Sequence, residues 1–482
     1  MIWSLIQRLG KEAVNTSFML WLAYVLVPED FGALAICLVW LGLAKLFIDL
    51  GFPLAIIRMK NPTTQHLSSF FFFNLIAGLI LYATFGVTLY YTDIITSTDK
   101  YRFVYLILAS TIVIDSASTV FRTILQKNLL FKRLAYRDIT ASLLSGIVGV
   151  SLAHNDFEVW SLVGQSITIS AVGTIILWRE SDWRPNLFEA SLSSLKDLWG
   201  FASSMTAAEI LKYLSQNYQV LTIGYLLDQR MTGLFVFSWK FSILVFKEPV
   251  KAIDAYLFPR FSMEKDNIDT LRHLYIDTIK TLAYLAFPAI VLYATTFPQL
   301  LLTFYGDQWA ETAVLIQILS VAAFSYVYIT VSTSLKKALG RGKWIIVWII
   351  YFVGAMIIAI GIGHFWGLYG VVIAVSTIHT IGVLFAVQAA MKELDINLGS
   401  IVSELGPLVG LKLGSLLLIS ITLLLLADHN VTGPAINIAV TTISLAVYFY
   451  VAHFLNPKLN YKIWNRIKAS FNTTKRRQKM VE

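Results

Sequence analysis

Stretches of about 20 mostly apolar residues recur along almost the whole chain, and no other feature constrains its fold as much. Fourteen are long enough to cross a bilayer as helices: 3–26, 31–57, 67–92, 103–126, 138–154, 157–178, 198–227, 232–258, 274–298, 310–335, 344–363, 366–391, 405–427 and 433–455. The connections are brief, and the sizeable hydrophilic pieces are 179–197 and the tail 456–482. The expected fold class is therefore an all-α integral membrane protein. Composition agrees: 57% of the 482 residues are hydrophobic and 14% are charged, against about 25% charged in soluble domains. The mean hydropathy is +0.69. The single cysteine, Cys37, lies in the apolar run "ALAICLVWLGLA". It excludes an internal disulfide framework and a cysteine-ligated metal centre, and reads as a buried apolar side chain. The first stretch lacks a basic n-region and a clear cleavage site, so it is expected to be a retained helix.

The net charge of +9 is distributed unevenly. With the N-terminus in the cytoplasm, the inward loops and the tail hold 26 Lys and Arg, and the outward loops hold 3. That imbalance follows the positive-inside rule and places both termini in the cytoplasm. It accounts for the positive charge without nucleic acid. The tail "NTTKRRQKM" is either apposed to anionic lipid or a solvated end.

Two short patterns occur twice. "TILQKNLLFKR" at 123–133 is echoed by "TSLKKALGRGK" at 333–343, an offset of 210. "LVPEDFG" at 26–32 is echoed by "LDQRMTG" at 227–233, an offset of 201. Six expected spans separate the basic copies, so both face the same side. The chain then divides into an N-terminal lobe of six helices (1–180), a cytoplasmic linker (181–197), a second six-helix lobe (198–391), two extra helices (405–455) and the basic tail. A parallel repeat would relate the lobes, as in secondary transporters with a substrate site between repeats.

Ionisable residues inside spans are costly and mark candidate sites. Arg8, Lys11 and Glu12 fall in the first expected helix and Lys45 and Asp49 in the second. Glu209 and Lys212 fall in the seventh, and Lys240, Lys247, Glu248, Lys251 and Asp254 in the eighth. The offset of 201 places Arg8 on Glu209 and Lys11 on Lys212. Both pairs have i,i+3 spacing, so each shares one helix face. Arg8, Lys11, Lys45, Asp49, Glu209, Lys212 and Lys240 are thus candidates for the wall of a cavity biased toward positive charge. Lys45 and Asp49, at i,i+4, are expected to pair when no anion is bound. Ion pairs that only hold helices together are the competing reading for these residues. Lys280 and Lys412 lie near span ends and are expected to snorkel, and Asp115 is expected to be satisfied by neighbouring Ser and Thr. The seven histidines form no H-E-x-x-H, and "GRGKW" lacks the remaining elements of a P-loop, so neither metalloprotease chemistry nor ATP drive is indicated.

The chain resembles the polysaccharide transporters, or Wzx-type lipid-linked oligosaccharide flippases, of the multidrug/oligosaccharidyl-lipid/polysaccharide exporter superfamily. The resemblance rests on "LVPEDFGALAI" with "DLGFPLAIIRMK", on "FPRFS", on "FYGDQWAETAVLIQILS" with Gly306, Trp309 and Gln317, and on "SLKKALGRGKW". It implies two lobes that open alternately to each side of a bacterial inner membrane. It also implies a substrate carried on a polyprenyl diphosphate, membrane lipids as neighbours, and a polysaccharide polymerase or export machinery as partner. Glu209 and Asp49 temper the positive field. No cofactor is expected; proton or sodium coupling through Asp49, Asp115 or Glu209 would make the chain a cation-coupled drug or metabolite exporter instead. A peptidoglycan-precursor flippase is a third reading. A glycan polymerase would need larger outward loops than the roughly ten-residue connections available.

Overall fold

The computed structural model describes residues 2–91, 99–397, 439, 442 and 443. Among them the chain forms fourteen α-helices and no strand. These are α1 (Ile2–Val25), α2 (Pro28–Asp49), α3 (Phe52–Arg58), α4 (Thr64–Tyr91), α5 (Asp99–Ser116), α6 (Thr119–Lys127), α7 (Phe131–His154), α8 (Trp160–Glu180), α9 (Leu192–Leu226), α10 (Gln229–Met263), α11 (Ile268–Tyr305), α12 (Ala310–Ala338), α13 (Gly342–Gly363) and α14 (Gly367–Glu393). Each of the first twelve expected spans falls on one helix or on a consecutive pair. The thirteenth expected span, the tail and Lys412 lie outside the described residues, as does the fourteenth span apart from residues 439, 442 and 443.

The two pairs have local causes. Between α2 and α3, Leu50 and Gly51 both adopt left-handed backbone, with φ of 39° and 68°. Pro53 then sits in the first turn of α3, where its missing N–H costs nothing. Between α5 and α6 the axis bends by 44°. There the hydroxyls of Ser118 and Thr119 donate to the Asp115 carbonyl at 2.9 and 3.1 Å, competing with the helical ladder. Five described stretches are long and apolar enough to cross a membrane unaided: Pro28–Asp49, Thr64–Tyr91, Trp160–Glu180, Ala310–Ala338 and Gly342–Glu393. The α5–α6 pair qualifies as one broken span. Helices such as α1 and α9 are as long but carry charge along their length.

The chain forms two compact units, 1–236 and 237–482. In the first, α7 packs on α1 and α8, α5 on α4 and α8, and α9 on α2, α3 and α4. One apolar core joins Ala33, Cys37, Leu41, Val104, Leu108 and Val163. A second is aromatic, with Phe52, Phe70, Phe71 and Phe121 against Trp178 and Trp183. Cys37 is fully buried, as expected. In the second unit, α12 packs on α11 and α14, and α13 on α14. Its core includes Tyr275, Val331, Leu335 and Ala390, and Tyr275 shares a 2.9 Å hydrogen bond with Ser332. The pairs α4·α5, α5·α8 and α7·α8 thus recur as α11·α12, α12·α14 and α13·α14.

Both sequence echoes have structural counterparts. Within the first unit, the opening turns of α2 and α10 touch through Gly32 and Gly233. A Cβ on Gly32 would fall 1.8 Å from the Gln229 carbonyl oxygen, and one on Gly233 would fall 1.8 Å from that of Pro28. The contact is reciprocal at the offset of 201, which explains why the echo preserves its glycine. The basic patterns each form a helix-ending corner closed by a six-to-one hydrogen bond, Leu130 N–H to Leu125 O at 2.9 Å and Arg341 N–H to Lys336 O at 2.9 Å. The backbone offset is therefore 211, one more than the offset that aligns lysine with lysine. It superposes the left-handed residues Leu129 and Gly340.

Candidate functional site

Charged and amide side chains from six helices of the first unit converge. α1 supplies Gln7 and Lys11, α2 Lys45 and Asp49, α4 Asn74, α5 Asp115, α6 Arg122, and α7 Arg137 and Asp138. Asp138 is 4% exposed and receives three donors. Gln7 Nε2 donates at 2.7 Å, Arg122 Nη2 donates to both oxygens at 3.1 Å, and Arg137 Nη1 donates to Oδ1. Arg137 Nε continues to the Gly173 carbonyl on α8 at 3.2 Å. Gly173 leaves the space for that guanidinium, since a Cβ there would lie 2.2 Å from Nη2. Lys45 Nζ bonds Asp115 Oδ2 at 2.9 Å, with side-chain exposures of 40% and 25%. Asp49 accepts from Asn74 Nδ2 at 3.4 Å.

The structure corrects two expectations. Lys45 pairs with Asp115 rather than Asp49, because α5 brings its carboxylate to the same side of α2 that the i,i+4 spacing selects. The Asp115 carboxylate is held by this lysine, while Ser118 and Thr119 bond its main-chain oxygen. Arg122, Arg137 and Lys336 count as loop cations by sequence. All three instead lie in helices: Arg122 and Arg137 clamp Asp138, and Lys336, in the last turn of α12, is 4% exposed. Asp138 and its arginines are the residues that sequence reading missed. Their signal was "RDITAS" at the start of α7, whose small residues allow close packing.

The other candidates are distributed as follows. Lys11 makes no hydrogen bond or ion pair among the described residues, and lies in the field of Asp138, Arg122, Arg137 and Lys45. Arg8 is exposed on α1. Glu209 and Lys212 form a 3.1 Å pair within α9, both well exposed. Lys240 is half-buried on α10 in the second unit. Asp254 receives Lys337 at 3.1 Å and the Ser334 hydroxyl. The side chains of Lys247 and Glu248 lie outside the described residues. Lys11, Lys45 and Asp49 are thus gathered in one network, and Glu209 with Lys212 is a separate pair. The network holds four cations (Lys11, Lys45, Arg122, Arg137) against three carboxylates (Asp49, Asp115, Asp138). The Asp138 clamp is saturated with donors and joins α1, α6 and α7. Lys11 and the half-exposed Lys45 are the groups with capacity for an added anion. Among the described residues no cluster of His, Cys, Asp and Glu could hold a metal.

A many-helix membrane protein with two similarly wired units and charges along its helices has the architecture of a transporter. The pattern of the polysaccharide biosynthesis protein family matches residues 21–314, more than half of the chain, and the chain belongs to that family. It is similar to the lipopolysaccharide biosynthesis protein WzxC of Escherichia coli, 23% identical over 323 residues, which covers 66% of this chain and 65% of WzxC. The curated relatives it matches are spanned over 63% to 70% of their own lengths. Among solved structures, the fold is similar to the lipid II flippase MurJ in an inward closed conformation, with a TM-score of 0.70, 13% identity, and coverage of 94% of this chain and 98% of MurJ. It is also similar to an inward-facing multidrug resistance MATE transporter of the MOP superfamily, with a TM-score of 0.60, 16% identity, and coverage of 80% and 94%.

Proposed function

We propose that the protein is a flippase that moves a polyprenyl-diphosphate-linked oligosaccharide across the bacterial cytoplasmic membrane for surface polysaccharide synthesis. It is a transporter and not an enzyme. The family match carries this reading, and the cation excess of the first-unit network supports it. Lys11, which has no hydrogen-bond partner among the described residues, offers its ammonium to the diphosphate. Lys45 joins it by exchanging Asp115 for the incoming anion. Lys212 is released likewise from Glu209, while Arg8, Asp49 and Lys240 shape the surrounding field. The two repeat lobes, 1–180 and 198–391, then rock to expose the headgroup to the other side while the polyprenyl tail stays in lipid. Both termini lie in the cytoplasm. A polysaccharide polymerase or export machinery receives the translocated substrate.

The decisive experiment is translocation of lipid-linked oligosaccharide in proteoliposomes by Lys11→Gln, Lys212→Gln and the double variant. One charge-assisted hydrogen bond contributes about 1.5–3 kcal/mol, so each single change should weaken substrate binding by roughly 10–150-fold. Near-normal translocation by a correctly inserted double variant would reduce these lysines to structural ions and remove the anion site.

A further inference from the structure

The segment between α8 and α9 presents two large apolar side chains, Leu187 and Phe188, to the outside. In its short 3-10 turn, Leu187–Glu189, Phe188 is 98% exposed and Leu187 63%, and Leu192 at the start of α9 is 78% exposed. The turn is built, not frayed. The Asn186 side chain accepts the Phe188 N–H at 3.1 Å, and the Ser191 hydroxyl accepts the Ser194 N–H at 3.3 Å. Behind them Trp183 is packed against Phe121 and Phe71, with ring centroids 5.4 and 6.2 Å away.

The height of this turn relative to a bilayer is fixed by its hydrogen bonds. Asn186 N–H donates to Ser68 Oγ at 3.2 Å, Ser191 N–H to Ser69 Oγ at 2.8 Å, and Gln65 Nε2 to Ser191 Oγ at 3.1 Å. Gln65, Ser68 and Ser69 form the first turns of α4, immediately before "FFFF" at 70–73, and α4 is one of the stretches apolar enough to span. The segment is therefore tied to the level at which α4 enters hydrocarbon. At that level the medium is the headgroup layer, where exposed Phe and Leu are favourable and where water or a soluble partner would be displaced by lipid. Arg184 and Lys196 are outnumbered by Asp182, Glu189 and Asp197. The surface is thus suited to apolar insertion and not to charge attraction.

We infer that the Leu187–Phe188–Leu192 edge inserts into the leaflet at the N-terminal end of α4 and anchors the α8–α9 junction to the bilayer surface. This rests on the membrane placement of α4 alone and is independent of the substrate. The test uses full-length protein carrying Cys37→Ala, with single cysteines at Phe188, at Leu192 and, as the aqueous reference, at exposed Lys60, each spin-labelled in phosphatidylcholine bilayers. Collision with oxygen relative to a water-soluble nickel chelate should be several-fold higher at 188 and 192 than at 60. It should be unchanged when anionic phosphatidylglycerol is added. Nickel-dominated collisions at 188 equal to those at 60 would place the turn in water and overturn the inference. Low access to both reagents would mean that protein covers the patch and would overturn it equally. Insertion seen only with anionic lipid would replace it with electrostatic attachment. Because these side chains are exposed, unchanged elution and thermal stability of the labelled variants would exclude misfolding.

Discussion

The corners at 123–133 and 333–343 end their helices with the same hydrogen-bond pattern, yet they are secured by different chemistry. In the first, the left-handed position is Leu129, 72% exposed, and Lys127 Nζ caps the end of α3 by donating to the carbonyls of Ile56 and Ile57 at 3.2 Å and to that of Met59. In the second, the left-handed position is Gly340, and the cations find carboxylates. Lys336 bonds Glu393 at 2.9 Å, Arg341 bonds the same carboxylate at 3.1 Å, and Lys337 bonds Asp254 at 3.1 Å. Arg133 on the first corner also meets an acid at the end of a helix, Glu180, at 3.3 Å. The geometry is therefore a backbone property, and the side chains supply whichever partner the neighbouring helix end offers.

The largest departure between the corners should appear at Glu393. Glu393→Gln leaves Lys336, whose side chain is 5% exposed, without its counter-charge. Loss of one partner of a buried pair costs about 3–5 kcal/mol, and the partial exposure of Glu393 puts the expected loss at about 3 kcal/mol. A thermal denaturation series in detergent should show a clear fall in Tm for this variant, and the matching Glu180→Gln should fall much less. Equal falls would mean the corners are energetically alike. Next in size are opposite changes at the two left-handed positions. Beyond its chain neighbours, no described atom lies within 4 Å of a Cβ built on Gly340, so Gly340→Ala would report backbone strain alone. It should cost about 1–2 kcal/mol, while Leu129→Gly should relieve strain of that order, offset by the entropy of the added glycine. Opposite shifts in Tm are expected, and shifts of the same sign would deny the backbone equivalence.

Removing the α3 cap by Lys127→Met should cost about 1 kcal/mol, because the lysine is partly solvated and its bonds are to carbonyls. Hydrogen exchange should rise at Ile57 to Lys60 and stay unchanged at the second corner. The smallest effect is expected at Lys337→Ala. Both members of its pair with Asp254 are more than one-third exposed, so its stability change should stay below about 1 kcal/mol and shrink further in salt. A large, salt-independent loss there would show that the Asp254 pair is shielded from solvent.

The sequence by itself determined the helical class, the placement of the first twelve expected helices, the family resemblance and the existence of two related basic corners. These are properties of apolar run length, turn residues and local charge, all confined to a few tens of residues. The bends inside two expected spans were written locally as well, in "DLGFP" and "DSAST", but an apolar count passes over them. Only the tertiary structure decided which charges meet. Lys45 and Asp115 are 70 residues apart, and Gln7 and Asp138 are 131 apart. The i,i+4 spacing of Lys45 and Asp49 offered a nearer partner that helix packing overruled. The burial of Arg137 depended on a glycine on another helix, Gly173. The register of 211 depended on which residue turns left-handed. Apolar periodicity reports the face a helix buries, whereas an ion pair in a low-dielectric interior is decided by the one or two helices that pack against that face.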